Sequence, residues 1–194
     1  MISKRLKEET TPHHNKAEEG NFNTEIRQGT LSVEQYALFL QRNYWLNRLV
    51  EEHYGTLSDE QKAELKEFDI QARIKSHLIL EDLKKLDTTL SGNNMPYPDL
   101  AFEELVGAIY VTEGSSLGGH MIHKALQKNS ELADKDAFSF LGFYGDKTGL
   151  YWKKFIEALE GYYAAHTEDE DKIIEGAKKA FDYFIDVTKA TKLN

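Results

Sequence analysis

Cysteine is absent from the 194 residues. That excludes disulfide staples, thiolate catalysis, iron–sulfur clusters and cysteine-based zinc sites, and it suits a reducing compartment. No apolar run approaches the ~18 residues of a membrane-spanning helix, and the opening MISKRLKEETTPHHNK lacks the apolar stretch of a signal peptide. The expectation is a soluble, cytoplasmic chain with no membrane partner. Basic excess is missing too: 24 Lys plus Arg stand against 33 Asp plus Glu, a formal charge of −9. A general nucleic-acid binder needs the opposite balance. With three prolines, no low-complexity tract and no repeat, little is left for linkers. Residues 1–194 therefore read as a single domain with one sizeable core.

Helical spacing is present in abundance. Ser32 with Gln35, Ser58 with Gln61 and Thr167 with Glu170 each have the separation of a reciprocal N-terminal cap. From Ser32 to about Tyr54, the positions Tyr36, Phe39, Leu40, Tyr44, Leu46 and Val50 form one stripe. A second long helix is expected over about Asp69 to Leu90, with Ile70, Ile74, Leu78 and Leu83 inward, before the loop signal SGNNMPYP at Ser91 to Pro98. A third, interrupted by glycines, is expected from about Asp99 to Lys128, and others over 147–165 and 168–190. No stretch alternates with period two between hairpin turns. The fold class is all-α, an irregular helical bundle of seven or eight helices.

The stretch from Leu105 to Ile122 is apolar enough to be buried, yet it holds Gly114, Gly118 and Gly119 within six residues. Each glycine costs a helix interior about 1 kcal/mol relative to alanine. Two readings stand: close helix–helix contact or a simple loop, or a kinked helix whose bare backbone lies against a flat ligand. The spacing matches neither a dinucleotide-binding loop nor a Walker A loop.

Of the seven histidines, His14 shares a face with Leu6, Thr10 and Ala17. A lone histidine on such a face is ordinarily a satisfied structural residue. Lys4, Arg5 and Lys7 stand beside it with no acid before Glu8, as a solvated helix start would, or as anchors for a ligand's carboxylates. A ligand with iron for the imidazole and two propionates for the cations would use both, and heme is one. No H-E-x-x-H occurs, and no histidine has a glutamate three positions earlier, which disfavours zinc-protease and di-iron sites. His120 and His123 lie at the end of the glycine-rich segment, as surface residues or as further cavity groups.

Leu6 to Glu18 (LKEETTPHHNKAE) resembles the opening helix of heme oxygenases, L-K/R-x-x-T-x-x-x-H-x-x-A/L-E. Tyr110 to Gly119 (YVTEGSSLGG) is similar to the distal helix of the bacterial branch that supplies bilin to phytochromes, Y-V-x-E-G-S-x-L-G-G. Ile173 to Phe181 (IIEGAKKAF) resembles the family's closing helix. The resemblance implies heme as both cofactor and substrate, O2 as co-substrate, electrons from an external ferredoxin or reductase, and a biliverdin, carbon monoxide and iron as products.

It also implies roles. His14 falls at the iron-ligand position. Gly114, Ser115, Ser116, Gly118 and Gly119 fall on the distal helix, with Ser115, Gly118 and Gly119 beside the reacting oxygen. Lys7 and Lys153 fall at propionate anchors, and Phe181 at the pocket wall. Many members carry an Asp where Ser115 stands, which leaves Ser115, Ser116, ordered water or another side chain to deliver protons. Thr11 stands where some members have a further Lys. A non-catalytic heme-binding, sensing or trafficking protein is the alternative, and an enzyme of thiaminase-like or quinone-biosynthesis type a third reading of the same helical pattern.

Overall fold

The computed structural model describes residues 1–92 and 95–191; Asn93 and Asn94 of the expected loop, and residues 192–194 of the expected domain, lie outside the described residues. Eight α-helices and no strand occur among the described residues: α1 (Ile2–Glu18), α2 (Asn23–Gln28), α3 (Val33–Gly55), α4 (Asp59–Glu64), α5 (Ser76–Lys85), α6 (Phe102–Leu126), α7 (Thr148–Ala165) and α8 (Glu170–Ala190). The fold is the all-α bundle expected from the spacing.

Two of the three expected caps form. Ser32 Oγ accepts the Gln35 N–H at 3.2 Å while Gln35 Oε1 accepts the Ser32 N–H at 2.9 Å. Ser58 and Gln61 repeat the exchange at 3.3 and 3.0 Å. The third does not: Thr167–Asp169 is a 3-10 turn, and the Glu170 carboxylate accepts from Arg5 and Tyr163 instead of folding back.

The expected helix over Asp69 to Leu90 is also corrected. Asp69 is left-handed (φ 49°), a 3-10 turn spans Ile70–Arg73, and α5 starts only at Ser76. The reason lies in where the polar groups go. The amides of Lys75 and Ser76 donate to Glu51 of α3 (3.3 and 3.1 Å), and Arg73 Nε donates to the Phe68 carbonyl (2.6 Å). The expected break in the glycine-rich helix is absent, for α6 runs from Phe102 to Leu126 as one α-helix.

Helices α6 and α8 approach closely, and two glycines make the approach possible. A Cβ on Gly107 would overlap the Ile173 carbonyl and come within 2.6 Å of the Ala177 nitrogen; one on Gly176 would overlap the backbone of Glu104. The crossing is locked by Lys179, whose Nζ donates to Glu104 Oε1 at 2.6 Å.

Two apolar clusters result. One gathers α1, α6, α7 and α8 around Leu6, Val106, Phe155 and Ile173; the other gathers α2, the first half of α3, α5 and the segment after α6 around Tyr36, Leu40, Leu83 and Phe138. Helices α3 and α6 belong to both clusters. The segment after α6 is pinned by the buried Asp82, which accepts the N–H groups of Ser139 and Phe140 (both 2.8 Å), and by Tyr36, which donates to the Ala137 carbonyl (2.7 Å).

Gly107→Ala is expected to destabilise the protein by about 1–3 kcal/mol, since backbone must move apart. Gly161→Ala, at an exposed α7 position where a Cβ meets nothing within 4 Å, is expected to stabilise it, by up to about 1 kcal/mol. Urea unfolding measures both.

Candidate functional site

A cavity of about 600 Å³ lies between the two clusters, with residues of α1 on one side and of α6 on the other. This is an ordinary size for a small-molecule or cofactor site. Its wall is mostly apolar and aromatic, including Phe39, Tyr110, Leu141, Trp152, Phe181 and Phe184.

Helix α1 is held from outside itself. It has no side-chain cap of its own; the N–H groups of Ile2 and Ser3 both donate to the Glu160 carboxylate of α7 at 3.0 Å. Further along, Arg5 pairs with Glu170 (3.2 Å) and Glu9 with Lys178 (3.6 Å), both on α8. These three fixings hold the helix that carries His14 to the cavity. Its ring meets Phe181 edge-on (centroids 5.9 Å apart, 76° between planes) and its side chain is 57% exposed. Nδ1 lies 3.8 Å from Glu18, beyond hydrogen-bond length. His13 points elsewhere, toward Asp182 at 3.9 Å, and does not line the cavity.

The glycine segment of α6 lines the same cavity as His14. Gly114, Gly118 and Gly119 all line the cavity. Unlike Gly107, none of them is demanded by packing. A Cβ on Gly118 would meet nothing within 4 Å, one on Gly114 would touch only the Trp152 ring at 3.6 Å, and one on Gly119 only Leu141 at 3.4 Å. The empty side-chain volume faces the cavity, so the reading of close helix contact belongs to Gly107 and the reading of a bare wall to Gly114 and Gly118.

Beneath that wall lies a buried charge network. Glu113 is 3% exposed and receives Lys75 Nζ at 2.7 Å, the Tyr144 hydroxyl at 2.9 Å and the Arg73 guanidinium. Lys75, also 3% exposed, donates further to Ser116 Oγ at 3.1 Å and lies over the Tyr144 ring. Burial pushes the Glu113 carboxyl up, but Lys75 and Arg73 outweigh it and hold it below its ordinary value. Burial, reinforced by Glu113, pushes the Tyr144 phenol far up, so it stays a donor.

A family model of heme oxygenase matches residues 1–190. The chain belongs to the heme oxygenase family. Among solved structures, the heme oxygenase of Neisseria meningitidis, studied with NO and CO bound, is similar over 98% of this chain and 91% of its own, at 25% identity and a TM-score of 0.75. The heme oxygenase of Leptospira interrogans has the same fold at 20% identity, with 98% and 99% covered and a TM-score of 0.76. No curated protein sequence matches the chain. Family and fold together support heme binding and degradation in general terms, and the all-α class expected from sequence is that of the family. No helix among the described residues is long and apolar enough to cross a membrane.

Most of the residues singled out by sequence meet at this cavity: Lys7, His14, Gly114, Ser115, Ser116, Gly118, Gly119 and Phe181 all line it. Lys153 does not. It is exposed on α7 and pairs with Glu157 at 3.8 Å, one residue away from the Trp152 that does face inward. The basic strip also divides, because Lys4 pairs with Glu8 and Arg5 with Glu9 and Glu170, leaving Lys7 at the cavity. His120 and His123 do not line it; His123 lies against Phe138. Sequence reasoning missed Trp152, Phe143 and Tyr144, and the Arg73–Lys75–Glu113 network. Only Glu113 gave a signal: a carboxylate on an otherwise apolar helix needs buried partners.

Removing the anion strands two cations. Glu113→Gln is therefore expected to cost about 3–5 kcal/mol at neutral pH. A carboxyl held below its ordinary value stabilises the fold above that value, and this contribution is lost as pH falls through the depressed one. Urea unfolding from pH 7 to 3 should show a shallower acid-side loss in Glu113→Gln than in the unmodified protein.

Proposed function

We propose that this protein binds heme between α1 and α6 with His14 as the iron ligand. It then opens the macrocycle using O2 and electrons from a separate ferredoxin or reductase, releasing a biliverdin, carbon monoxide and iron. One observation carries the reading: His14 and the glycines that packing does not require lie on the walls of a single cavity.

The residues fit such a group. Imidazole is a heme-iron ligand, and His14 lines the cavity with no hydrogen bond to a protein side chain among the described residues. Lys7 makes no ion pair among the described residues and offers its ammonium to a carboxylate at the wall. When bound, heme supplies the iron that takes up O2 and the carbon framework that is cleaved.

The chain's own contribution is placement and exclusion. The Phe181 ring meets the His14 imidazole edge-on and limits its rotation. Trp152, Phe184 and Leu141 give the cavity an apolar wall, against which a flat apolar ring system can pack. Bare backbone at Gly114 and Gly118 leaves open the volume that a side chain would otherwise take from O2. Nothing in the described residues resembles a flavin or nicotinamide site, which is why the electrons are assigned to a separate protein.

Two variants test this together. His14→Ala is expected to lose the histidine-ligated heme spectrum and turnover. Gly118→Leu, which enters open space, is expected to keep its unfolding midpoint and most heme affinity while losing O2 binding. An unchanged Soret band and turnover in His14→Ala would overturn the ligand assignment, and equal loss of heme and O2 binding in Gly118→Leu would reduce the glycines to a general space requirement.

A further inference from the structure

Five serine and threonine hydroxyls line the cavity: Thr10, Thr11, Ser115, Ser116 and Thr148. Four of them are spent on backbone carbonyls. Thr10 donates to Leu6 (2.7 Å), Thr11 to Lys7 (2.6 Å), Ser115 to Thr112 (2.8 Å) and Thr148 to Gly145 (2.7 Å). Ser116 differs. Its oxygen receives Lys75 Nζ at 3.1 Å, and among the described residues its own O–H has no acceptor.

The direction of that contact is fixed by chemistry. An ammonium has three N–H donors and no lone pair, so Ser116 Oγ can only accept from Lys75. The three donors of Lys75 meet Glu113 Oε1 at 2.7 Å, Ser116 Oγ at 3.1 Å and the Thr112 carbonyl at 3.4 Å. Lys75 cannot swing away to solvent, because it is 3% exposed and is held by the Glu113 carboxylate. With one lone pair of Ser116 engaged from behind, the remaining lone pair and the O–H are left for the cavity side.

We propose that Ser116 is the distal hydrogen-bond donor of this site and that Lys75, clamped by Glu113, is its positioning residue. This rests on the heme reading above and deepens it. It assigns the donor to the hydroxyl one position beyond Ser115, whose own proton is directed into the helix. A donor backed by a buried cation is also more polarised than a free serine, since hydrogen bonds in a chain strengthen one another.

The test uses the ferric-heme-loaded protein with fluoride, an anion that binds ferric iron and accepts hydrogen bonds. Ser116→Ala is expected to weaken fluoride binding about tenfold with heme affinity little changed. Ser116→Thr, which keeps the hydroxyl, should restore it, and Ser115→Ala should bind fluoride as the unmodified protein does. Equal fluoride affinity in Ser116→Ala and the unmodified protein, or an equal loss in Ser115→Ala, overturns the proposal.

A second arm needs no heme. In the ligand-free protein, a slowly exchanging Lys75 ammonium signal in nitrogen-15 NMR should move clearly more in Ser116→Ala than in Ser115→Ala. No difference between the two would refute the Lys75–Ser116 pair. If the unmodified protein took up heme without a histidine ligand, the heme reading would fail instead, and the NMR arm would still decide the pair.

Discussion

A carboxylate taken out of water requires cations of its own, and Glu113 has two. Lys75 and Arg73 reach it from the segment before α5, and Tyr144 reaches it from the segment before α7. The network thus joins α6 to two separate stretches of chain. Its location, next to Gly114 to Ser116 in the chain, ties the cavity-lining part of α6 to those two stretches. A buried ion cluster of this kind is weak as a source of net stability and strong as a constraint on arrangement, because each partner left alone is costly. The broken helix at Asp69 and the late start of α5 are consequences of turning Arg73 and Lys75 inward.

The two walls of the cavity are built by different means. α1 is positioned by carboxylates and cations of α7 and α8, beginning with Glu160 at its first amides. α6 is positioned by steric contact, with Gly107 and Gly176 allowing its backbone to meet α8. Helix α8 therefore touches both walls, and Phe181 and Phe184 extend from it into the space between them. Glycine serves two purposes on one helix: closeness to protein at Gly107, and open volume at the cavity-lining Gly118.

The helices of this bundle were legible wherever periodic apolar positions and local caps decide structure. Ser32 and Ser58 capped as their spacing predicts, because a capping box is a local exchange. Thr167 did not, because Arg5 and Tyr163 compete for Glu170 from outside the local sequence. The same distinction holds in the site. His14 and the glycines were recognisable from their motifs, whereas Lys75, Arg73 and Tyr144 carry no local pattern and acquire meaning only through Glu113. Lys153, expected at a propionate anchor, is exposed and pairs with Glu157, one step around the helix from the cavity-lining Trp152.

Heme degradation through a His14-held macrocycle is tested by direct observation of the reaction. The purified protein is loaded with hemin, supplied with a reductant under air, and followed by absorption. The Soret band is expected to decay as biliverdin absorption grows, and the decay is expected to be lost when His14 is replaced. A Soret band that persists through reduction and reoxidation, with no bilin formed, would contradict this reading.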